Sequence, residues 1–582
     1  MVFERPIWGV FFAQLLMYLS GFLLLFASWM QPLHILPWVS WHSEVLAFLA
    51  ALCFAWALVF SQARKRATST VSLPVAARPL LWLCLLIGVQ WGIGLIPFIG
   101  DVLVDWAYLL LCIACLVWGY QSSRDKSALV VGMATALLAG ALVSAVIALL
   151  QALELSSEFA WINSMPDVRR PGANLGQPNQ LATLLLMGIA SLLFLLESKK
   201  LGAIPAFLMA LVLVISLAAT ESRAGVLGFL VLNVWWFAKH KSIAAQLKPW
   251  VVVLVGATYL GLYWYWPVLM GEFYQLPDGL VRTNAVAYNR WIIWPQLLQA
   301  VLLHPWLGWG VGQVSTAHNA VVDAYSASEA YTYAHNIVLD LALGIGLPLT
   351  ILIVLMTGAW LWRRLRASAD MVSWYCLAVV IPVAVHSMVE FPFAYAYFLV
   401  PVMFALGALD AHLGFQPSQK WGIKPVAIGL AIGTTMLVWS ACEYQAVEED
   451  FRVVRFEALR VGQTPQDYER PTVHLLSQLD ALLYGGRVTP RPGMPEQEIE
   501  LVKMVALRYP WPATQNRYAL ALALNGNPAE ATRQLRVMRA QHGAKAYAKI
   551  KAAWTTLATE KYSQLNAAAS DRMPMPLSYF VC

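Results

Sequence analysis

"ALVVGMATALLAGALVSAVIALLQA" runs from Ala128 to Ala152 without one charged side chain. A helix of that length, rising about 1.5 Å per residue, is long enough to cross the roughly 30 Å hydrocarbon core of a bilayer. The rest of the chain is written in the same way. Of its 582 residues 59% are hydrophobic and 12% charged, too apolar for a soluble multidomain protein. Working outward from Ala128, windows of about 17 to 25 nearly uncharged residues predict thirteen spans, near 8–29, 44–62, 79–99, 103–120, 128–152, 180–197, 201–220, 222–238, 248–267, 336–362, 371–390, 396–415 and 424–442. The expected fold class is all-α: a polytopic membrane protein of about thirteen transmembrane helices, or twelve to fourteen where neighbours merge or break. The first span has no small-residue cleavage site behind it and is expected to be retained. The seven cysteines fall mostly inside spans and show neither metal nor disulfide spacing.

Orientation follows from the loops, because short connections rich in Lys and Arg stay in the cytoplasm. With the N-terminus inside, the inner connections carry sixteen basic residues, from Arg64–Arg66 and Arg78 through Arg363–Arg366 to Lys420 and Lys424. The opposite face carries five, all arginines: Arg169, Arg170, Arg223, Arg282 and Arg290. That bias and a basic tail account for the net charge of +7, and nothing supports nucleic-acid binding. An odd number of spans puts the C-terminal segment outside, which in a bacterial inner membrane is the periplasm.

Transporters place ionisable groups near the bilayer midplane. Here the middles of the spans are almost uncharged, and the polar chemistry collects at outer ends in four segments. These are "RRPGANLGQPNQ" (from Arg169), "TESRAG" (Thr220 to Gly225), the long loop of about 268–336, and "HSMVEFPFAYAYF" (His386 to Phe398). Arginine is disfavoured on an outer face, so a set of five without lysine points to an anion such as a diphosphate, which the planar guanidinium fork grips well. In the loop, "YNRWIIWPQLLQAVLLHPWLGWGVGQ" (Tyr288 to Gln313) reads as an amphipathic helix on the membrane, with Arg290 at its start and Trp291 and Trp294 at headgroup depth. "YWYW" (Tyr263 to Trp266) reads as an interface belt. At "YAHNIVLDLALGIGLP", His335 and Asn336 stand at the outer mouth of a span, with Asp340 about one turn further in. Histidine is the side chain suited to take a proton near neutral pH. His318 repeats the His-Asn pair inside the loop without a helix after it, and His386 reads as a helix-packing residue one turn from Glu390.

In their order, "TESRAG", "NRWIIWPQLLQAVLLHPWLGWGVG" and "AHNIVLDLALGIGLP" resemble the core pattern of the O-antigen ligase and O-antigen polymerase superfamily. "RPGANLGQPNQLA" and "VEFPFAYAYFLVP" are similar to its protein-glycosylating branch, the PglL-type O-oligosaccharyltransferases; the likeness covers roughly residues 160–410. It implies an enzyme that moves a preassembled oligosaccharide en bloc from undecaprenyl diphosphate to a Ser or Thr hydroxyl of a periplasmic or pilin-like protein, without metal or cofactor. Carried over, His335 is the catalytic histidine. Arg223 and Arg290 face the diphosphate with Arg170 beside them. Gln177, Asn179, Asn336 and Glu390 bind or orient glycan, and either Tyr395 or Tyr397 is the outer functional tyrosine. An O-antigen polymerase or lipid A core ligase differs only in its acceptor, and a flippase of lipid-linked sugar is the alternative from another class.

After the last span the composition changes, with seventeen of the thirty-nine basic residues in 443–582. This divides the chain into a transmembrane domain, 1–442, and a helical domain, 443–582. "ATQNRYALALALNGNPAEATRQLRVMRAQHG" (Ala513 to Gly543) resembles one tetratricopeptide-type helix pair, joined at Asn-Gly-Asn-Pro and expected to stack on helices around 446–484 and 496–508.

Overall fold

The computed structural model of the protein describes residues 7–63, 70–125, 128–164, 170–274 and 285–566. The residues before Ile7, the basic run Arg64–Arg66, Lys126, the arginines Arg169 and Arg282 expected on the outer face, and the tail end with Cys582 lie outside the described residues.

Each predicted span meets a helix. The first nine are α1 (Ile7–Met30), α2 (Trp41–Ala63), α3 (Ala77–Gly92), α4 (Ile99–Asp125), α5 (Ala128–Ala152), α6 (Pro178–Glu197), α7 (Ala203–Ala219), α8 (Arg223–Lys239) and α9 (Pro249–Phe273). The long loop folds into α10 (Ala285–Leu303), α11 (Val314–Asn319) and α12 (Ile337–Ile345). Apolar helices resume with α13 (Leu347–Ala367), α14 (Met371–Ser387), α15 (Ala396–His412) and α16 (Ile423–Leu459). The tail adds α17 (Ser477–Arg487), α18 (Glu496–Arg508), α19 (Pro512–Leu524) and α20 (Pro528–Glu560). Among the described residues eight helices are long and apolar enough to cross a membrane, and α3, α7, α14 and α15 are shorter apolar ones. The chain is an all-α, multi-pass membrane protein.

Three details differ from the sequence reading. The stretch 336–362 is not one span: it breaks between α12 and α13 at Gly346, whose φ is +81°. A Cβ there would lie 2.3 Å from the Trp306 carbonyl oxygen, so the position needs glycine both for its backbone and for the close approach. The break is stitched by the loop, with Leu347 N–H donating to the Pro305 carbonyl (2.7 Å) and Trp309 N–H to that of Leu343 (2.7 Å). The helix of the last span does not stop at 442: α16 continues as one helix to Leu459. Its polar end is tied down. Glu443 accepts the backbone N–H groups of His474, Leu475 and Leu476, and buried Asp450 accepts the Arg487 fork at 2.7 and 2.8 Å. The helices expected around 446–484 are the end of α16 and, after a loop, α17. Finally, Thr70–Leu73 (β1) pairs antiparallel with Gln419–Gly422 (β2), Thr70 opposite Gly422. Four-residue strands are too short to leave a periodic signal.

The chain divides into two compact units that do not follow sequence order. The first comprises 1–84, 106–282 and 355–441. Lipid tails are as apolar as leucine, so helices here are held by close packing. Gly119 of α4 and Gly407 of α15 let backbones meet: a Cβ at either would fall about 2 Å from a carbonyl oxygen of the other helix, that of Phe404 or Leu116. Beside that crossing Phe54 stacks on Trp118 at 3.9 Å. Near the C-terminal end of α13, Arg364 is buried against Asp410 (2.7 Å), with its guanidinium over the Trp360 and Phe415 rings.

The second unit comprises 85–105, 283–354 and 442–582. Ile293, Leu297, Ala300 and Val301 of α10 pack with Val314 and Ala317 of α11 and Leu339 and Leu343 of α12. In the tail, the Asn-Gly-Asn-Pro turn joins α19 to α20 as expected, with the Asn527 side chain capping α20 at the Glu530 N–H. α11 bolts loop to tail. Ser315 Oγ donates to the Leu507 carbonyl (2.6 Å), and Arg533 donates to the carbonyl and side-chain oxygens of Asn319.

Candidate functional site

In the first unit the polar stretch before α6 does two jobs. Its front half is a buried knot. Asn174 Nδ2 donates to the carbonyls of Met30 (2.7 Å) and Trp161 (3.0 Å), while the Gln151 side chain in α5 accepts from Ala173 N–H at 2.8 Å. The back half starts a helix. Gln177 caps α6 by accepting from Gln180 N–H (3.0 Å), and Pro178 fills the first helical position. One residue further, Asn179 bridges two other segments. Its Nδ2 donates to Glu390 (3.4 Å) and its Oδ1 accepts from Ser222 Oγ at 2.7 Å. Ser222 in turn caps α8 through Gly225 N–H (2.9 Å), so Arg223 opens that helix. Arg170 Nε donates to the Thr220 carbonyl at 2.9 Å. Burial lowers the Arg170 pKa, opposed by the charge of Glu221 and by Tyr263 and Glu390, while Arg223 adds to the lowering. Arg170, Arg223, Asn179 and Glu390, from three of the four polar segments, therefore share one neighbourhood. Its acids and arginines sit next to a helix N-terminus, where anions are favoured.

The two tyrosines are placed differently. Tyr397 is buried and donates to Gln180 Oε1 (2.7 Å), whereas Tyr395 is half-buried at the start of α15 and stacks on Tyr397 and Phe391. His386 is buried and hydrogen-bonded to Thr183 Oγ1 at 2.8 Å, tying α14 to α6 as a packing residue does. In "YWYW", Trp264 and Tyr265 are exposed and Tyr263 and Trp266 buried.

In the second unit, Arg290 lies on the first turns of α10. That helix is apolar on two sides: one is the buried face described above, and the other exposes Trp291, Leu298 and Leu302, continued past its end by Trp306 and Leu307. His335 has φ +53°, a left-handed conformation that costs a non-glycine residue about 1–3 kcal/mol and is held only where the surroundings impose it. Its neighbours do so. Ala334 N–H donates to Asp340 Oδ2 (3.0 Å), the Ala334 carbonyl accepts from Trp294 Nε1 (2.9 Å), and Asn336 caps α12 at the N–H groups of Val338 and Leu339. The Tyr331 ring meets the imidazole edge-on with centroids 4.6 Å apart. α12 precedes the span α13, and burial pushes the Asp340 carboxyl up to about 7 against the pull of its backbone hydrogen bonds. His318, by contrast, is fully buried in α11. Its Nε2 meets Gln296 Oε1 (2.9 Å), its Nδ1 meets Gln541 Nε2 (3.4 Å), and burial depresses its pKa to about 4. Among the described residues, His, Cys, Asp and Glu side chains form no group of three suited to a metal.

The sequence reading gives Ser222 no role and takes Trp294 for a residue at headgroup depth, whereas the structure half-buries Trp294 and ties it to the Ala334 carbonyl. A serine immediately before Arg223 is a helix N-cap signal that was there to be used; nothing in the sequence ties Trp294 to a residue forty positions on.

A membrane-embedded chain with arginines and a strained histidine at helix ends matches three family models in succession. "Protein glycosylation ligase" matches residues 171–196, "O-Antigen ligase" residues 207–354, and "Virulence factor membrane-bound polymerase, C-terminal" residues 374–557. The chain is similar in sequence to the O-antigen ligase superfamily and to its PglL-type O-oligosaccharyltransferase branch, and it is an enzyme. It is 26% identical to the general O-oligosaccharyltransferase of Acinetobacter baylyi, over 88% of this chain and 90% of that one. To the ComP-specific O-oligosaccharyltransferase of the same organism it is 28% identical, over 57% of this chain and 61% of that one.

Proposed function

We propose that the protein transfers a preassembled oligosaccharide en bloc from undecaprenyl diphosphate to Ser or Thr hydroxyls of a periplasmic or pilin-like protein. It acts in the bacterial inner membrane, with its active face and C-terminal helices in the periplasm. One observation carries the reading: the protein glycosylation ligase match falls on 171–196, the segment whose Asn179 joins Ser222 and Glu390 beside Arg170 and Arg223. The names of both relatives and the bias of basic residues to the inner connections support it.

In this reading the acceptor oxygen attacks the anomeric carbon, and the bond from that carbon to the diphosphate oxygen breaks. His335 takes the hydroxyl proton, a step worth about 10²- to 10⁴-fold. Arg223, Arg290 and Arg170 stabilise the departing diphosphate, as fixed cations do for charge that develops in a transition state. Gln177, Asn179, Asn336, Glu390 and Tyr395 or Tyr397 orient the sugars or the acceptor. A single displacement inverts the anomeric configuration, and α10 lies on the membrane surface by its exposed apolar side.

The polymerase match over 374–557 favours a second reading, in which the acceptor is a sugar hydroxyl of a growing glycan. Co-expression with a lipid-linked glycan pathway, a pilin-like protein and a lipid A core acceptor separates the two. A glycan-shifted protein band is expected; modified lipid or lengthened glycan with unmodified protein would overturn the protein-acceptor assignment.

A further inference from the structure

His335 sits between two residues that cannot move freely. Ala334 is held at both ends of its peptide groups, its N–H by Asp340 Oδ2 (3.0 Å) and its carbonyl by Trp294 Nε1 (2.9 Å). On the other side Asn336 is fixed as the cap of α12, receiving the N–H groups of Val338 and Leu339 at 3.0 and 3.1 Å. The residue between them takes φ +53°. A left-handed histidine relaxes unless its flanks are clamped, and the two clamps come from different helices. Asp340 lies on α12, whereas Trp294 reaches over from α10, four residues after Arg290. Both helices share one packed core, so the clamp is part of a rigid scaffold.

We propose that Asp340 and Trp294 are positioning residues for His335: together they impose its left-handed backbone and so fix where the imidazole points. This rests on the assignment of His335 as the proton acceptor. The acid touches Ala334, and its effect on the reaction passes through the histidine. The pair also ties the histidine to α10, the helix that carries Arg290, so groups proposed for proton and diphosphate share one support. A misplacement of about 1 Å costs on the order of 100-fold in rate while leaving binding nearly intact.

The test is steady-state transfer from an undecaprenyl-diphosphate-linked oligosaccharide to a pilin-like protein by full-length enzyme in detergent, with thermal midpoints measured alongside. Asp340→Ala is expected to lower kcat about 100-fold with the donor KM unchanged. Asp340→Asn keeps an acceptor oxygen and is expected to recover most of that loss. Trp294→Phe keeps a ring but removes the donor; it is expected to lower kcat about tenfold at an unchanged midpoint and KM. Should Asp340→Ala fail to fold, Asp340→Asn and Trp294→Phe decide. Wild-type kcat in Trp294→Phe, or losses that follow KM or the midpoint, overturn the clamp. His335→Ala is run beside them. If it is inactive while the clamp variants are normal, only the positioning role fails; if it is fully active, the proton-acceptor assignment fails first.

Discussion

The chain contains the dipeptide His-Asn twice within the second unit, at 318–319 and 335–336, and the structure treats the two in opposite ways. His318 is inside a helix and fully buried. Both of its ring nitrogens face side-chain amides, Gln296 and Gln541, and its pKa is pushed to about 4. Asn319 serves the same joint by receiving Arg533. His335 is outside any helix, half-buried, and held in a left-handed backbone at the head of α12. Burial with matched partners makes a histidine a structural strut. A strained backbone at a partly open helix start makes it a candidate for chemistry.

Substitutions should pull these roles apart. The largest effect is expected from His335→Ala, with transfer reduced by about 10³-fold or more and the thermal midpoint unchanged. His318→Ala should do the reverse, lowering stability by about 2–4 kcal/mol because Gln296, Ser328 and Gln541 are left without their buried partner. Any loss of transfer should then track unfolded protein, as melting and activity read at the same temperature would reveal.

Burial of His318 should also make stability depend on acid. A histidine whose folded pKa is depressed contributes stability that is present above about 6.5 and lost as pH falls toward its folded value, near 4 for His318. That window corresponds to about 3 kcal/mol. The variant His318→Gln should flatten the stability profile between pH 6.5 and 4 relative to the unsubstituted protein; an identical slope in both would contradict the buried, neutral state. The smallest effect on stability is expected from Asn336→Ala, which removes the cap of α12 for about 1 kcal/mol and lowers transfer as well, because one flank of His335 is freed. Hydrogen exchange should detect it at Val338 and Leu339, the amides that Asn336 accepts.

Much of this was legible in the sequence, for reasons that also set its limits. Uncharged runs such as 128–152 announce themselves, because the bilayer demands length and apolarity and little else. Breaks do not. Gly346 looks like one more small residue in an apolar run, and only the loop backbone packed against it shows that a span starts there. The two halves of the polar stretch before α6 could not be told apart either. Asn174 and Asn179 are five positions apart, yet one is spent on backbone carbonyls and the other reaches Ser222 and Glu390. Likewise the long loop and the tail, separate in sequence, belong to one compact unit through contacts such as Ser315 with the Leu507 carbonyl. Contacts across such distances leave no local pattern.

The most direct test is transfer by purified His335→Ala and His318→Gln, each supplied with an undecaprenyl-diphosphate-linked oligosaccharide and a pilin-like acceptor below the melting temperature of both. The expected result is no glycan-shifted band from the first and a clear one from the second. A full band from folded His335→Ala would contradict the assignment of that histidine as the base.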